Sequence, residues 1–330
     1  MGWRRAGAEA CRYVIMKKLE PLILQRADPF IRKHADGFYY FTGSVPAYDR
    51  IEVRRARTIA ELATAKAVDV WRKPDAGPLS ELIWAPEIHH HGGKWFVYFA
   101  AAPSREIKEN LFQHRMYVIS TGAENPLEGE WTEPEQVHTG IDSFCLDATT
   151  FTHRGATYYV WAQKDRRIAG NSNLYIARMA TPTTLATKPV RLSVPELEWE
   201  TRGFSVNEGP AVLIKHGKVF VSYSASATDE NYCVGLLHAE EDADLLEPTN
   251  WTKSKEPVFR SCYEFGVYGP GHNSFTVAED GVTDLLVYHA RTYREIVGDP
   301  LWNPDRHTFV KPIRWDADGM PVFGRASCVE

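Results

Sequence analysis

Asp28, Asp147 and Glu208 stand at matching places in a repeated pattern. Gly37 follows Asp28 by nine residues, Gly155 follows Asp147 by eight, and Gly217 follows Glu208 by nine. Two further copies put Trp84 nine residues before Gly93 and His272 nine before Gly281. Carboxyls gathered away from water raise one another's pKa, because burial and like charge both disfavour the ionised form. A protonated and an ionised carboxyl then coexist at one pH, as acid and base. Cleavage of a glycosidic bond by water needs that pair: one group protonates the leaving oxygen and the other activates the nucleophile. A single acid at a strand start is accounted for by capping a turn. Three acids in register call for a shared site.

Other chemistries lack their motifs. The chain has no GxSxG elbow, no HExxH and no Walker loop. Its five cysteines, at 11, 145, 233, 262 and 328, form no CxxC pair, so zinc and redox motifs are excluded and buried free thiols in a reducing compartment are expected. The run His89-His90-His91 suggests a metal, but neighbours on a strand point to opposite faces, and an ordinary strand is the reading. Lys and Arg number 38 against 43 Asp and Glu, a net charge of −5, which supplies no basic surface for nucleic acid. No run of about 18 apolar residues suggests a membrane span.

The elements that must position the acids are read from the repeat itself. Five copies begin at Asp28, Trp84, Asp147, Glu208 and His272, spaced 56, 63, 61 and 64 residues apart. Each has two β-rich runs around a glycine turn, a hairpin signal. A third β-like segment follows each copy, at 50–56, 115–122, 173–180, 232–238 and 308–315. Helical signals are short, at 59–65 and 107–114. Five small antiparallel sheets of about sixty residues describe an all-β, five-bladed β-propeller, whose first strands line a central channel. The 40 aromatic residues are mostly strand and core residues in this reading. Residues 22–330 are expected to form one propeller domain. Residues 1–21 are expected to be a leader segment: Met16 is an alternative start, and no continuous apolar run marks a signal peptide.

The short motifs ADPF at 27–30, WAPE at 84–87, LDAT at 146–149, VNEGP at 206–210, YGPGHNSF at 268–275 and YHAR at 288–291 occur in an order that resembles glycoside hydrolase family 43. The resemblance runs from about Leu22 to Gly324. It is nearest to exo-acting α-L-arabinofuranosidases that attack α-1,5-linked arabino-oligosaccharides, on the stretches NSNLYIA at 171–177 and YSASATDENYC at 223–233. The resemblance implies an inverting hydrolase with Asp28 as general base, Glu208 as general acid and Asp147 orienting Glu208 and tuning its pKa. It also implies that Arg291 bonds the sugar, that Trp84 forms the wall of the same subsite, and that His272 binds a hydrated channel ion, calcium or sodium. The alternative for His272 is hydrogen bonding to channel water. No cofactor is implied for the chemistry.

The implied substrates are arabino-oligosaccharides or arabinoxylan, with chain-end cleavage favoured because only six residues follow Gly324. β-Xylosidase or endo-arabinanase activity on the same scaffold is the first alternative. A non-catalytic sugar-binding propeller is the second, and the three acids argue against it. The expected location is the cytoplasm, or outside the cell with a signal peptide missing from this sequence.

Overall fold

The computed structural model describes residues 17–329. Their regular structure is almost wholly strand, in five antiparallel blades and two further two-stranded pieces. The inner strands are Ala27–Lys33, Glu81–His91, Cys145–His153, Asn207–Lys215 and Tyr268–Val277. Each pairs with a Tyr-, Phe- or Val-rich second strand across the predicted turn. Each inner strand touches the inner strand of the next blade, and the fifth touches the first, which closes the ring.

The third strands fall where the sequence places them, for example Arg50–Ala56 and Arg115–Thr121. The expected helices differ. Segment 59–65 contains only the 3-10 turn Ala60–Ala63, and 107–114 is an irregular loop. Glu109 and Asn110 there have left-handed backbones, which break a helix.

The ring is held shut near the chain ends. Ile23 bridges to Thr308 of the outer strand of blade five, and Leu22 N–H donates to the Thr308 carbonyl at 2.8 Å. Lys17–Lys18 pair with Cys328–Val329. The folded part therefore begins ahead of residue 22; residues 1–16 of the expected leader lie outside the described residues.

Packing lies between the blades. One cluster joins Tyr40 and Ile51 of blade one to Trp95 and Phe99 of blade two. Another joins blades two, three and four through Tyr98, Trp161 and Tyr223. A large apolar side chain buried in this way contributes about 1.5–3 kcal/mol. The channel itself is left free for polar groups.

One residue near the head of every inner strand takes a left-handed backbone: Asp28 (φ 52°), Ala85 (45°), Asp147 (49°), Gly209 (54°) and His272 (42°). The strand register shifts beside each of them. This corrects the sequence register in two blades. Trp84 and Glu208 do not occupy the place of Asp28 and Asp147; they stand one residue ahead of it. Every blade has its left-handed residue at a bulge, but Gly93 and Gly217 are second in two-residue turns while Gly37 and Gly281 are third in longer ones, so a count of nine from the glycine is off by one there.

Candidate active site

The strand heads converge on one cavity lined by Asp28, Trp84, Asp147, Glu208, His272 and Arg306, with Phe112, Phe144 and Phe204 among the apolar residues around them. Non-glycine residues in left-handed conformation cost about 1–3 kcal/mol each. Four of the five kink residues are not glycine, so the surrounding packing must hold them.

Asp28 is buried among polar groups, and its own N–H donates to His289 Nδ1 at 3.0 Å. Ser44 Oγ donates to its Oδ2 at 2.5 Å, and the same Oγ accepts the Ala85 N–H at 2.8 Å, which ties blade one to blade two. His272 Nδ1 lies 3.2 Å, His289 Nδ1 3.3 Å and Arg306 Nη1 3.7 Å from Asp28 Oδ1. Burial works against the Asp28 charge, but these groups outweigh it and hold the carboxyl well below its ordinary range. Burial pushes both histidines down, His289 to about 3. At neutral pH the standing positive charge at Asp28 is therefore Arg306, itself buried and bonded to the Tyr48 hydroxyl at 2.8 Å.

Glu208 has the opposite surroundings. Its Oε1 accepts the Tyr232 hydroxyl at 2.9 Å. Burial raises its pKa to about 7, with the charge of Asp28 adding to the rise. Asp147 is buried as well, and burial and then the nearby Glu208 and Asp28 charges push it upward. Its Oδ2 accepts the N–H of Gly209 at 3.1 Å, so Asp147 grips the backbone directly after Glu208. Gly209 is needed there: a Cβ would sit 3.1 Å from the His272 ring, on a backbone already at positive φ.

Trp84 forms one wall. Its ring stacks on His114, with centroids 4.0 Å apart at 24°, and touches Phe112 edge-on. Arg291 stands elsewhere than expected. It is buried, but its guanidinium donates to the carbonyls of Thr228 (2.5 Å) and Pro300 (2.7 Å) and to Asn303 Oδ1 (3.2 Å). It is absent from the cavity lining and braces the segments behind it; Arg306 is the arginine in the cavity. Burial outweighs the sequence motif here, because a guanidinium enclosed by carbonyls spends its donors on them.

The histidine run behaves as a strand. His89 and His91 share a face, with rings 5.9 Å apart, and His90 packs against His34 and Trp95 on the other face. His89 Nε2 meets Glu87 Oε2 at 2.9 Å. Among the described residues no group of three His, Cys, Asp or Glu is placed to hold a metal. His272 turns Nδ1 to the acids, and Asn273 beside it has both amide atoms buried without partners. One ring nitrogen and one amide suit an ion carried mostly by water, since calcium takes about six to eight oxygens.

Tyr232, Arg306, His289 and Ser44 were not found from sequence. None stands at the head of an inner strand, although His289 lies within YHAR and Tyr232 within YSASATDENYC. A further signal was position, since Tyr232 and Arg306 directly precede outer strands.

The profile described as "Glycosyl hydrolases family 43" matches residues 20–321. The chain is 53% identical, over 92% of its length, to a Streptomyces avermitilis protein named extracellular exo-α-(1→5)-L-arabinofuranosidase, and it spans 62% of that relative. A Streptomyces chartreusis protein of the same name is 51% identical over 85% of this chain and 84% of its own. The crystal structure of an α-L-arabinofuranosidase from Lactobacillus brevis superposes with a TM-score of 0.93, at 57% identity, covering 95% of this chain and 98% of that one.

Proposed function

The chain belongs to glycosyl hydrolases family 43, and on that premise we propose that it is an inverting exo-α-L-arabinofuranosidase. It releases L-arabinofuranose from the non-reducing ends of α-1,5-linked arabino-oligosaccharides and from arabinose-substituted polysaccharides. The observation that carries this reading is the split between two carboxyls facing one cavity: Asp28 held ionised, Glu208 held protonated to about pH 7.

Asp28 takes a proton from water as that water bonds to the anomeric carbon. The bond from that carbon to the leaving oxygen breaks, and Glu208 gives its proton to the oxygen. Direct displacement inverts the centre and requires the two carboxyls roughly 6.5–9.5 Å apart, with water between them. Asp147 fixes the Glu208 backbone through Gly209, and the charge of Asp28 adds to burial in keeping the acid protonated. Trp84 walls the sugar, and Arg306 both holds Asp28 ionised and presents donors to sugar hydroxyls. The names of the relatives support the substrate class.

A hydrated calcium or sodium ion beside His272 would add positive charge under the acids and stiffen the channel. The carboxyls supply both proton transfers, so EDTA should lower Tm or leave it unchanged while activity near 25 °C persists. Complete calcium-reversible loss of activity with the fold intact would sink this. The word extracellular in both Streptomyces names supports secretion, which activity in culture fluid against cell contents would check.

Product analysis tests the main reading. Linear α-1,5-arabino-oligosaccharides should give arabinose monomer, first seen by NMR as the inverted β-anomer. Internal fragments would point to an endo-arabinanase, and faster release from p-nitrophenyl xylopyranoside than from the arabinofuranoside would point to a β-xylosidase.

A further inference from the structure

The hydroxyl that reaches Glu208 is held from behind. Tyr232 is 1% exposed, and its ring lies parallel to His289, centroids 5.6 Å apart at 3°. A Cβ on Gly271 would sit 2.4 Å from two Tyr232 ring carbons, so the glycine makes room for the ring. The fully buried Ser224 hydroxyl flanks the same face of Gly271 and acts on the Tyr232 phenol as a donor that favours its ionised form. The same Ser224 Oγ accepts the backbone N–H of His272 at 2.6 Å.

These contacts have a direction. A backbone N–H can only donate, so Ser224 accepts there and is free to donate its own hydrogen to Tyr232. Tyr232 then sends its hydrogen to Glu208 Oε1. No other hydrogen bond reaches the Glu208 carboxyl among the described residues. With Oε1 filled as an acceptor, the acidic hydrogen belongs on Oε2.

We propose that Ser224 and Tyr232 form a one-way hydrogen-bond relay, starting at the His272 backbone, that holds the proton of Glu208 on Oε2 for delivery to the leaving oxygen. The proposal rests on Glu208 being the acid of the reaction above. Tyr232 and Ser224 are positioning residues: they act on the proton through Glu208. The relay also opposes burial, because a donor to Oε1 stabilises the ionised carboxylate and limits how far its pKa climbs.

Y232F keeps the ring and removes the relay's last donor. The Glu208 carboxyl, followed by 13C NMR in protein labelled at glutamate and assigned with E208Q, should titrate about one pH unit higher in Y232F, the size of one hydrogen bond to a charged group. The alkaline limb of kcat/KM should move the same way. kcat should fall about tenfold on an arabino-oligosaccharide and clearly less on dinitrophenyl arabinofuranoside, which needs little protonation. S224A, which alters neither the ring nor Glu208, should shift the titration in the same direction by a smaller amount, and it carries the test if Y232F does not fold. An unmoved Glu208 titration in the folded variants, or equal kcat losses on good and poor leaving groups, overturns the relay. A shifted titration in a protein that releases no arabinose keeps the relay's effect on Glu208 and overturns the proposed activity instead.

Discussion

The surroundings of Asp28 in blade one and Glu208 in blade four are built from opposite materials. Asp28 collects Ser44, His289, His272 and Arg306, contributed by blades one and five. Glu208 has one phenol and otherwise low-dielectric burial, with a second carboxyl nearby. Both strands begin with a bulge, with Asp28 itself as the left-handed residue in one and Gly209, directly after Glu208, in the other. The difference lies in which neighbouring blade supplies a cation. A carboxyl beside a buried arginine is a base at neutral pH, and one whose burial and neighbouring carboxylate outweigh its single phenol donor is an acid.

Breaking the blade-one side should have the largest effect. Asp28→Asn removes the group that activates water, and kcat should fall by about 10³-fold or more on every substrate. A loss that depends on the leaving group would reassign Asp28. Glu208→Gln should cost about 10²–10⁴-fold on oligosaccharides and far less on dinitrophenyl arabinofuranoside; equal losses would deny it the acid role.

Arg306→Met sharpens the comparison by making the first site more like the second. Without the arginine, the Asp28 pKa should rise and the acid limb of kcat/KM should move to higher pH. The limb should move by about one to two pH units; because Asp28 starts well below 3.8, activity at pH 5 should change little through its ionisation. An unmoved acid limb would show that the histidines, and not Arg306, hold Asp28 ionised.

Stability should part the two carboxyls with opposite sign. The Asp28 pKa is depressed in the fold, so its contribution is present above the ordinary value of 3.8 and is lost as pH falls through the folded value. The Glu208 pKa is raised, so the protonated form suits the fold and its contribution is lost as pH climbs from 4.5 to about 7. At pH 8, Glu208→Gln should therefore raise Tm by about 2–4 °C, while Asp28→Asn lowers it by a similar amount. Thermal melts showing the same sign for both would refute the contrast.

Arg291→Met should have the smallest catalytic effect. It leaves the Thr228 and Pro300 carbonyls without their donors, at about 1–3 kcal/mol for each buried group, so Tm should drop while kcat changes by less than about tenfold. A large rise in KM with Tm unchanged would place Arg291 at the sugar.

Much of the site was legible because the repeat is local. Each hairpin carries its own turn glycine, and the alternation of apolar and polar residues marks its strands. Asp28, Asp147, Glu208, Trp84 and His272 follow from counting along the chain, and all five line the cavity. The count slipped by one residue at Trp84 and Glu208, since the turns of those blades are shorter than those of blades one and five and a fixed count from the glycine does not allow for it. Arg291 sits in a motif of the right type and was read as a sugar ligand; only the carbonyls that surround it show where its donors go.

By itself the sequence determined the five-fold repeat, the all-β class and the supply of three carboxyls at strand heads, all consequences of spacing within about sixty residues. Tertiary structure alone decided which carboxyl is acid and which is base. The Asp28 N–H meets His289 Nδ1 across 261 residues, and Arg306 reaches Asp28 from the far end of the chain. Ring closure makes these contacts, and a carboxyl's pKa is set by the charges and donors within a few ångströms in space, whatever their distance in sequence.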